Sequence, residues 1–156
     1  MIYRPGLGLP VAGYIARDPK YIVLNEFALV YLPRARFTIA EEVCHKILEW
    51  GLWGSGKIPS GARAHELSEK QYRDIEENAR DLAAEILEPA AIFRQRWEHH
   101  SLVSTTAGRT GDRLIRAVAQ ATAEDFIVSP YAAGYRAKKL RLITPAECNR
   151  NFPILL

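Results

Sequence analysis

The stretch that decides the fold lies between residues 36 and 50 and reads Arg36-Phe37-Thr38-Ile39-Ala40-Glu41-Glu42-Val43-Cys44-His45-Lys46-Ile47-Leu48-Glu49-Trp50. Thr38 is a favourable N-cap residue, and Glu41 follows three positions later, which completes a capping-box pattern. The pattern predicts a helix that begins at Thr38 and ends at Gly51. Because helix residues four apart share a face, Glu41 and His45 are predicted to project together.

The Glu-Glu-x-x-His pattern in this helix indicates a metal site. Zinc hydrolases of the H-E-x-x-H type hold their metal with two helix residues at this spacing, and the glutamate between them activates water. Here Glu42 has the place of that glutamate, His45 that of the second histidine, and Glu41 stands where the first histidine would be. The alternative is an ordinary solvated helix face, because glutamates are common near the start of a helix.

Outward from this helix, the sequence predicts an α+β fold. The apolar runs 12–16 and 21–25 flank a polar turn that contains Pro19, which is typical of a β-hairpin. Caps, prolines and helical spacing predict further helices, over residues 68–87, 90–99, about 114–122 and 130–140. We therefore expect a small antiparallel sheet packed beside four to five helices, in one domain that spans residues 1–156.

Composition excludes several classes of protein. The 156 residues are 48% hydrophobic and 25% charged, which is typical of a globular domain and not of a disordered or collagen-like chain. The two cysteines, Cys44 and Cys148, cannot form a disulfide framework, and free thiols indicate a reducing compartment. We expect a cytoplasmic protein without a membrane span, since no apolar run reaches about 18 residues and the N-terminus lacks a signal-peptide pattern.

Charge is unevenly distributed along the chain. Residues 40–93 carry eleven acidic and six basic side chains, so a bound cation would find its oxygen ligands there. Residues 94–156 carry ten basic and five acidic side chains. The basic cluster at residues 136–141, in a helix that follows another helix, raises a DNA-binding regulator as a third hypothesis. We rank DNA last among the partners, because ordinary solvated helix faces explain this charge equally well.

Four patches of the sequence resemble the ImmA/IrrE metallopeptidases. Residues 36–48 are similar to that family's signature R-F-T-[LI]-A-H-E-[LI]-G-H-x-[LI]-L, and residues 21–25 to its I-x-[VL]-N strand. Residues 76–89, Glu-Glu-Asn-Ala-Arg-Asp-Leu-Ala-Ala-Glu-Ile-Leu-Glu-Pro, are similar to E-x-x-A-x-x-[FL]-A-x-x-[LI]-L-M-P. Residues 123–140 are similar to the closing helices, written F-x-V-S-x-x-A-x-x-x-R-[LA]-x-x-L. The resemblance covers roughly residues 13 to 143 in consistent order.

The resemblance implies a zincin-like fold and a cytoplasmic endopeptidase that cleaves helix-turn-helix transcriptional repressors. It implies Glu76 as the third metal ligand, beside Glu41 and His45, and Glu42 as the catalytic base. It also implies substrate binding along an edge strand, which assigns that role to Tyr21, Val23 and Asn25.

Three positions depart from the family pattern: Glu41 replaces a histidine, Cys44 a glycine and Glu88 a methionine. A set of one imidazole and two carboxylates suits zinc and also moves the preference toward manganese or iron. Because two anionic ligands weaken the activation of water, an inactive pseudopeptidase that binds a repressor or another protein is the alternative function. The metal hypothesis requires the three head groups to lie within coordinating reach and to be free of ion pairs with arginine.

Other residues carry open alternatives. Cys44 is either a fourth, soft ligand or a small buried helix residue, and its direction about 100° from His45 favours the second interpretation. His99 or His100 is a candidate for stabilising an oxyanion or for supporting the site from its periphery.

Overall fold

The computed structural model describes residues 13–15, 22–54 and 68–153. Within them the chain forms a short hairpin followed by seven helical segments. The elements in chain order are β1 (Gly13–Ile15), β2 (Ile22–Leu24), α1 (Glu26–Leu29), α2 (Leu32–Gly54), α3 (Glu69–Leu87), α4 (Ala90–Thr106), α5 (Gly111–Phe126), α6 (Pro130–Lys139) and α7 (Pro145–Asn151).

The predicted α+β class, with a small antiparallel sheet packed beside helices in a zincin-like arrangement, is wrong. Helices account for 79% of the described residues. The β structure in this part of the chain is one antiparallel ribbon, in which Tyr14 pairs with Val23 and Ile15 with Ile22. Strands of three residues place only one or two side chains on each face, so they cannot form a layer that covers a helical core. The hairpin itself is where the sequence predicted it, and its turn lies outside the described residues.

The chain divides into two compact units, residues 1–83 and 84–156. The boundary falls inside α3, and the expectation of a single domain over residues 1–156 stays a prediction. In the first unit α2 contacts α1 and both strands. It also packs against α3, through a small core made of Cys44, Ala79 and Ala83 with Phe37, Ala40, Leu48 and Leu82 around it.

The start of α2 differs from the prediction. This helix begins at Leu32 and ends at Gly54, so Thr38 is a buried residue in its second turn and not its N-cap. Pro33 is the second helical residue, where a missing N–H costs nothing because the first N–H groups of a helix have no helical acceptor. The carbonyl oxygen of Tyr31 accepts from the N–H groups of Arg34 and Ala35 instead and opens the helix.

Other helix boundaries follow their predicted caps. Ser68 caps α3: its hydroxyl accepts from the N–H of Gln71, while the Gln71 side chain accepts from the N–H of Ser68. Ser129 caps α6 through a bond from the N–H of Ala132. Helix α4 runs on to Thr106, past the predicted end at residue 99. Helix α7 was not predicted. Among the described helices, none is long and apolar enough to cross a membrane.

The second unit buries an unpaired carboxyl group. Glu88 is 0% exposed, and neither of its carboxyl oxygens has a hydrogen-bond partner among the described residues. The neighbouring Arg136 uses its donors elsewhere: its Nε donates to the main-chain oxygen of Glu88 at 3.0 Å, and its Nη2 donates to the carboxylate of Glu85. Burial raises the pKa of the Glu88 carboxyl to about 7, although the positive charge of Arg136 acts in the opposite direction.

This pKa predicts a pH-dependent stability. The folded chain binds the Glu88 proton more tightly than the unfolded chain, whose glutamates titrate near 4.5, so stability should fall as pH rises from about 4.5 to about 7. Since one pKa unit is worth about 1.4 kcal/mol, the loss should be at most about 3 kcal/mol. Denaturant unfolding gives the free energy of unfolding at pH 4.5 and at pH 8. The loss between these pH values should be seen in wild type and be absent in Glu88→Gln, which lacks the titrating group. The matched change at the exposed Glu98 on α4, Glu98→Gln, should retain the full slope.

Candidate metal centre

Helix α2 supplies two of the predicted ligands. Glu41 and His45 lie one turn apart on it, and both are partly buried. The adjacent face of the helix carries Cys44, which packs against α3. Packing on one face of α2 therefore fixes where the Glu41 and His45 side chains stand.

Helix α3 repeats this arrangement. Ala79 and Ala83, one turn apart and fully buried, form its side of the small core. Glu76 and Arg80, also one turn apart, lie beside that pair. Because alanine side chains let two helices approach closely, the polar residues next to them on α3 come within reach of Glu41 and His45 on α2.

The three predicted ligands converge. One ligand atom from each of Glu41, His45 and Glu76 lies within 4.8 Å of the other two. Within this group, His45 Nε2 lies 3.7 Å from Glu76 Oε1. Two ligands bound tetrahedrally to zinc at about 2.1 Å are about 3.4 Å apart, so an adjustment on the order of 1 Å would complete the set. The group could hold a divalent metal ion.

An arginine that the sequence analysis missed contacts the same carboxylates. The Nε of Arg80 lies 3.0 Å from Glu41 Oε1, and its Nη2 lies 3.5 Å from Glu76 Oε2. The requirement for head groups free of arginine is therefore not met. Arg80 follows Glu76 by four residues on a predicted helix, and this spacing of opposite charges is the signal that could have found it.

Magnitudes decide whether Arg80 excludes a metal. Its side chain is 54% exposed while its two partners are largely buried, so these ion pairs contribute on the order of 1 kcal/mol, an amount that metal binding can offset. The measured contacts engage one oxygen of each carboxylate, and Glu76 turns its other oxygen toward His45. A donor set of one imidazole and two carboxylates therefore fits a divalent cation once the guanidinium of Arg80 moves away from the carboxylates.

Cys44 is a core residue. It is 0% exposed, and the ligand group formed by the described residues does not include it. Burial raises the pKa of its thiol, and the negative charge of Glu41 raises it further. Its complete burial in the small core between α2 and α3 confirms the interpretation as a small packing residue.

The predicted base and substrate strand lie in the same unit as the cluster. Glu42 is half-buried on α2, between Glu41 and His45 in the chain. Val23 is 37% exposed in β2, Asn25 follows that strand, and Tyr21 lies outside the described residues. These roles stay predictions.

The two remaining histidines belong to the second unit. On α4, the Nε2 of His100 lies 2.8 Å from Asp125 Oδ2, and Arg96 Nε lies 3.8 Å from the same oxygen. The ring of His99 meets the His100 ring edge-on at 5.3 Å. His100 is thus engaged by a local carboxylate, and its oxyanion or peripheral role stays a prediction, as does that of His99.

The basic cluster is only partly a surface feature. Arg136 is buried and bonded to Glu85 and to the main chain of Glu88. Lys138 places its ammonium 4.0 Å from the centre of the Tyr135 ring. Internal contacts therefore involve at least Arg136 and Lys138 of the four cations on which the DNA-binding hypothesis relied.

Comparison with protein-family models, with curated proteins and with solved structures found no match to the chain. The resemblance to the ImmA/IrrE metallopeptidases therefore stays a prediction.

The cluster predicts stabilisation by a divalent metal. Zinc at about 100 times its dissociation constant should stabilise the folded chain by about 2.7 kcal/mol, which raises Tm by about 5–10 °C for a chain of this length. His45→Ala removes the imidazole ligand and should abolish the shift. His99→Ala, the same substitution at an exposed histidine of the second unit, should keep it. Thermal unfolding with and without zinc measures both, and an equal shift in the two variants would contradict the assignment.

Proposed function

We propose that the protein is a metal-dependent endopeptidase whose site is formed by Glu41, His45 and Glu76. The observation that carries this proposal is that an imidazole and two carboxylates from two helices bring their ligand atoms within 4.8 Å of one another. Two carboxylates that lie this close repel one another and need positive charge nearby, which Arg80 supplies in the structure and which a divalent ion would supply when bound. The Glu41–His45 spacing adds the pattern of helical metallohydrolases.

Each side chain has a distinct role in the proposal. Glu41, His45 and Glu76 would hold the metal. When bound, a divalent ion supplies Lewis-acid polarisation of a peptide carbonyl and acidification of water. Glu42 would accept a proton from the attacking water and return it to the leaving amine, as a general base and then a general acid.

Zinc is the proposed metal, with manganese or iron as alternatives. Zinc accepts one imidazole and two carboxylates, and its catalytic sites combine three protein ligands with one open position. The second carboxylate in place of a histidine makes the donor set harder, which favours manganese and iron more than a two-histidine site would. It also halves the number of neutral ligands, so water should be activated less strongly.

The proposed substrate is a helix-turn-helix transcriptional repressor, and the proposed setting is the cytoplasm. The substrate is taken from the family resemblance, and the cytoplasmic setting from that resemblance together with the two free cysteines and the sequence signals described above. Within the described residues β2 pairs with a strand on one side alone, so its other edge is a candidate for pairing with an extended peptide. Val23, which is 37% exposed, would line that edge with Asn25 and Tyr21.

Cleavage of a repressor encoded by a neighbouring gene tests the activity. Glu42→Gln keeps the shape of the side chain but cannot take a proton, so cleavage in the presence of zinc or manganese should fall at least about 100-fold. Zinc affinity should be unchanged, because Glu42 is not a ligand. Glu69→Gln, the same change at an exposed glutamate of α3, should cleave like wild type. Gel electrophoresis of the repressor over time measures cleavage by wild type and by both variants, and calorimetric titration measures their zinc affinity.

Arg80 favours a second candidate function, a pseudopeptidase that binds a repressor or another protein without cutting it. An arginine that already pairs with both carboxylates makes a folded site that needs no metal. In this case the repressor stays intact with every metal tried, and Glu42→Gln binds it as well as wild type does. Cleavage gained by Glu41→His would then show that the activity had been lost at that position.

A further inference from the structure

We propose that Arg80 is a resident counter-cation of the metal centre, which holds Glu41 and Glu76 together in the metal-free protein and lowers the affinity of the site for divalent ions. The inference rests on the metal site of the proposed function and adds to it the residue that sets metal affinity. Arg80 does not ligate the metal in this proposal. It competes with the metal for the same two carboxylates.

The geometry places Arg80 where a metal's charge would act. Its guanidinium bridges Glu41, on the other helix, and Glu76, one turn earlier on its own helix, at 3.0 Å and 3.5 Å. Glu76 divides its oxygens between Arg80 and His45. A cation that drew Glu41, Glu76 and His45 inward would draw the two carboxylates away from the guanidinium.

Arg80 is much more exposed than the two carboxylates that it contacts, which favours its replacement by a metal ion. The Glu41 and Glu76 side chains are only 20% and 13% exposed, so water screens their mutual repulsion poorly and they require a nearby positive charge. Arg80 is 54% exposed and carries its charge at the end of a long, flexible side chain. It can return to water at small cost when another cation arrives.

Charge determines the sign of the effect. The two carboxylates and Arg80 sum to one negative charge, whereas the same carboxylates without Arg80 present two, which attract a divalent ion more strongly. A unit charge about 5 Å from a divalent ion repels it even in water by an amount worth more than a tenfold change in affinity. The opposite role, in which Arg80 only orients the carboxylates by hydrogen bonds, predicts weaker binding when it is removed.

Calorimetric titration of the metal-stripped chain with zinc, and separately with manganese, distinguishes the two roles. Arg80→Gln keeps hydrogen-bond donors without charge and should bind each metal at least about tenfold more tightly than wild type. Arg80→Lys keeps the charge and should stay within a few-fold of wild type. Arg113→Gln removes the same charge from an exposed position on α5 of the second unit and should have no effect. The gain of Arg80→Gln should shrink as salt is raised, because salt screens the repulsion.

The outcomes separate this inference from the proposed function. Unchanged or weaker binding by Arg80→Gln, alongside His45-dependent binding by wild type, overturns the role of Arg80 and leaves the metal site standing. Tighter binding by Arg80→Gln that His45→Ala abolishes, without any repressor cleavage, supports the role of Arg80 and overturns the peptidase. Zinc binding by none of these variants overturns both. A lower Tm of metal-free Arg80→Gln than of Arg80→Lys is the accompanying sign that the carboxylate pair has lost its cation.

Discussion

The contact of Cys44 with Ala79 and Ala83 is the constraint on which the candidate site depends. All three side chains are small and fully buried, so α2 and α3 approach closely at this level. Each helix carries its polar residues one step around from its packing residues, which brings Glu41 toward Arg80 and His45 toward Glu76. A larger side chain at any of the three positions would separate the helices and would disperse the cluster with them.

The two carboxylates of the cluster are stable together only when a positive charge lies near them. Glu41 and Glu76 are held near each other by packing, largely out of water, and their repulsion must be offset by a cation. Arg80 supplies this positive charge from the chain itself, and a bound divalent ion would supply it from solution. The proposed peptidase and the alternative pseudopeptidase would therefore correspond to two occupancies of one electrostatic site, one by a metal ion and one by the guanidinium.

Local signals in the sequence predicted local structure, but features that depend on packing between distant segments, such as the fold class, were not predicted. The caps at Ser68 and Ser129 and the pair of Glu41 and His45 needed only local patterns and helical spacing, whereas Glu76 came from the resemblance of residues 76–89 to a family motif. The prediction at Thr38 was wrong because the capping-box pattern is equally compatible with the interior of a helix, and α2 begins six residues earlier, at Leu32, with a proline as its second residue. Helix α7 carries the same signal as α6, a capping residue before a proline: Thr144 and Glu147 form a full capping box. The fold class failed because hairpin length is set by packing, which no short pattern encodes.

The two units show two solutions to one physical problem, a carboxyl group removed from water. In the first unit Glu41 and Glu76 keep Arg80 beside them. In the second, Arg136 lies next to Glu88 but donates to its main-chain oxygen and to Glu85, so the Glu88 carboxyl has no hydrogen-bond partner and its pKa rises to about 7. A buried carboxyl group without a hydrogen-bond partner has its lowest free energy when it is protonated, whereas a nearby cation favours the charged carboxylate. A site that must exchange one cation for another needs charged carboxylates and an arginine free to leave. Glu41, Glu76 and the exposed Arg80 fit that need, and the sealed pair of Glu88 and Arg136 does not.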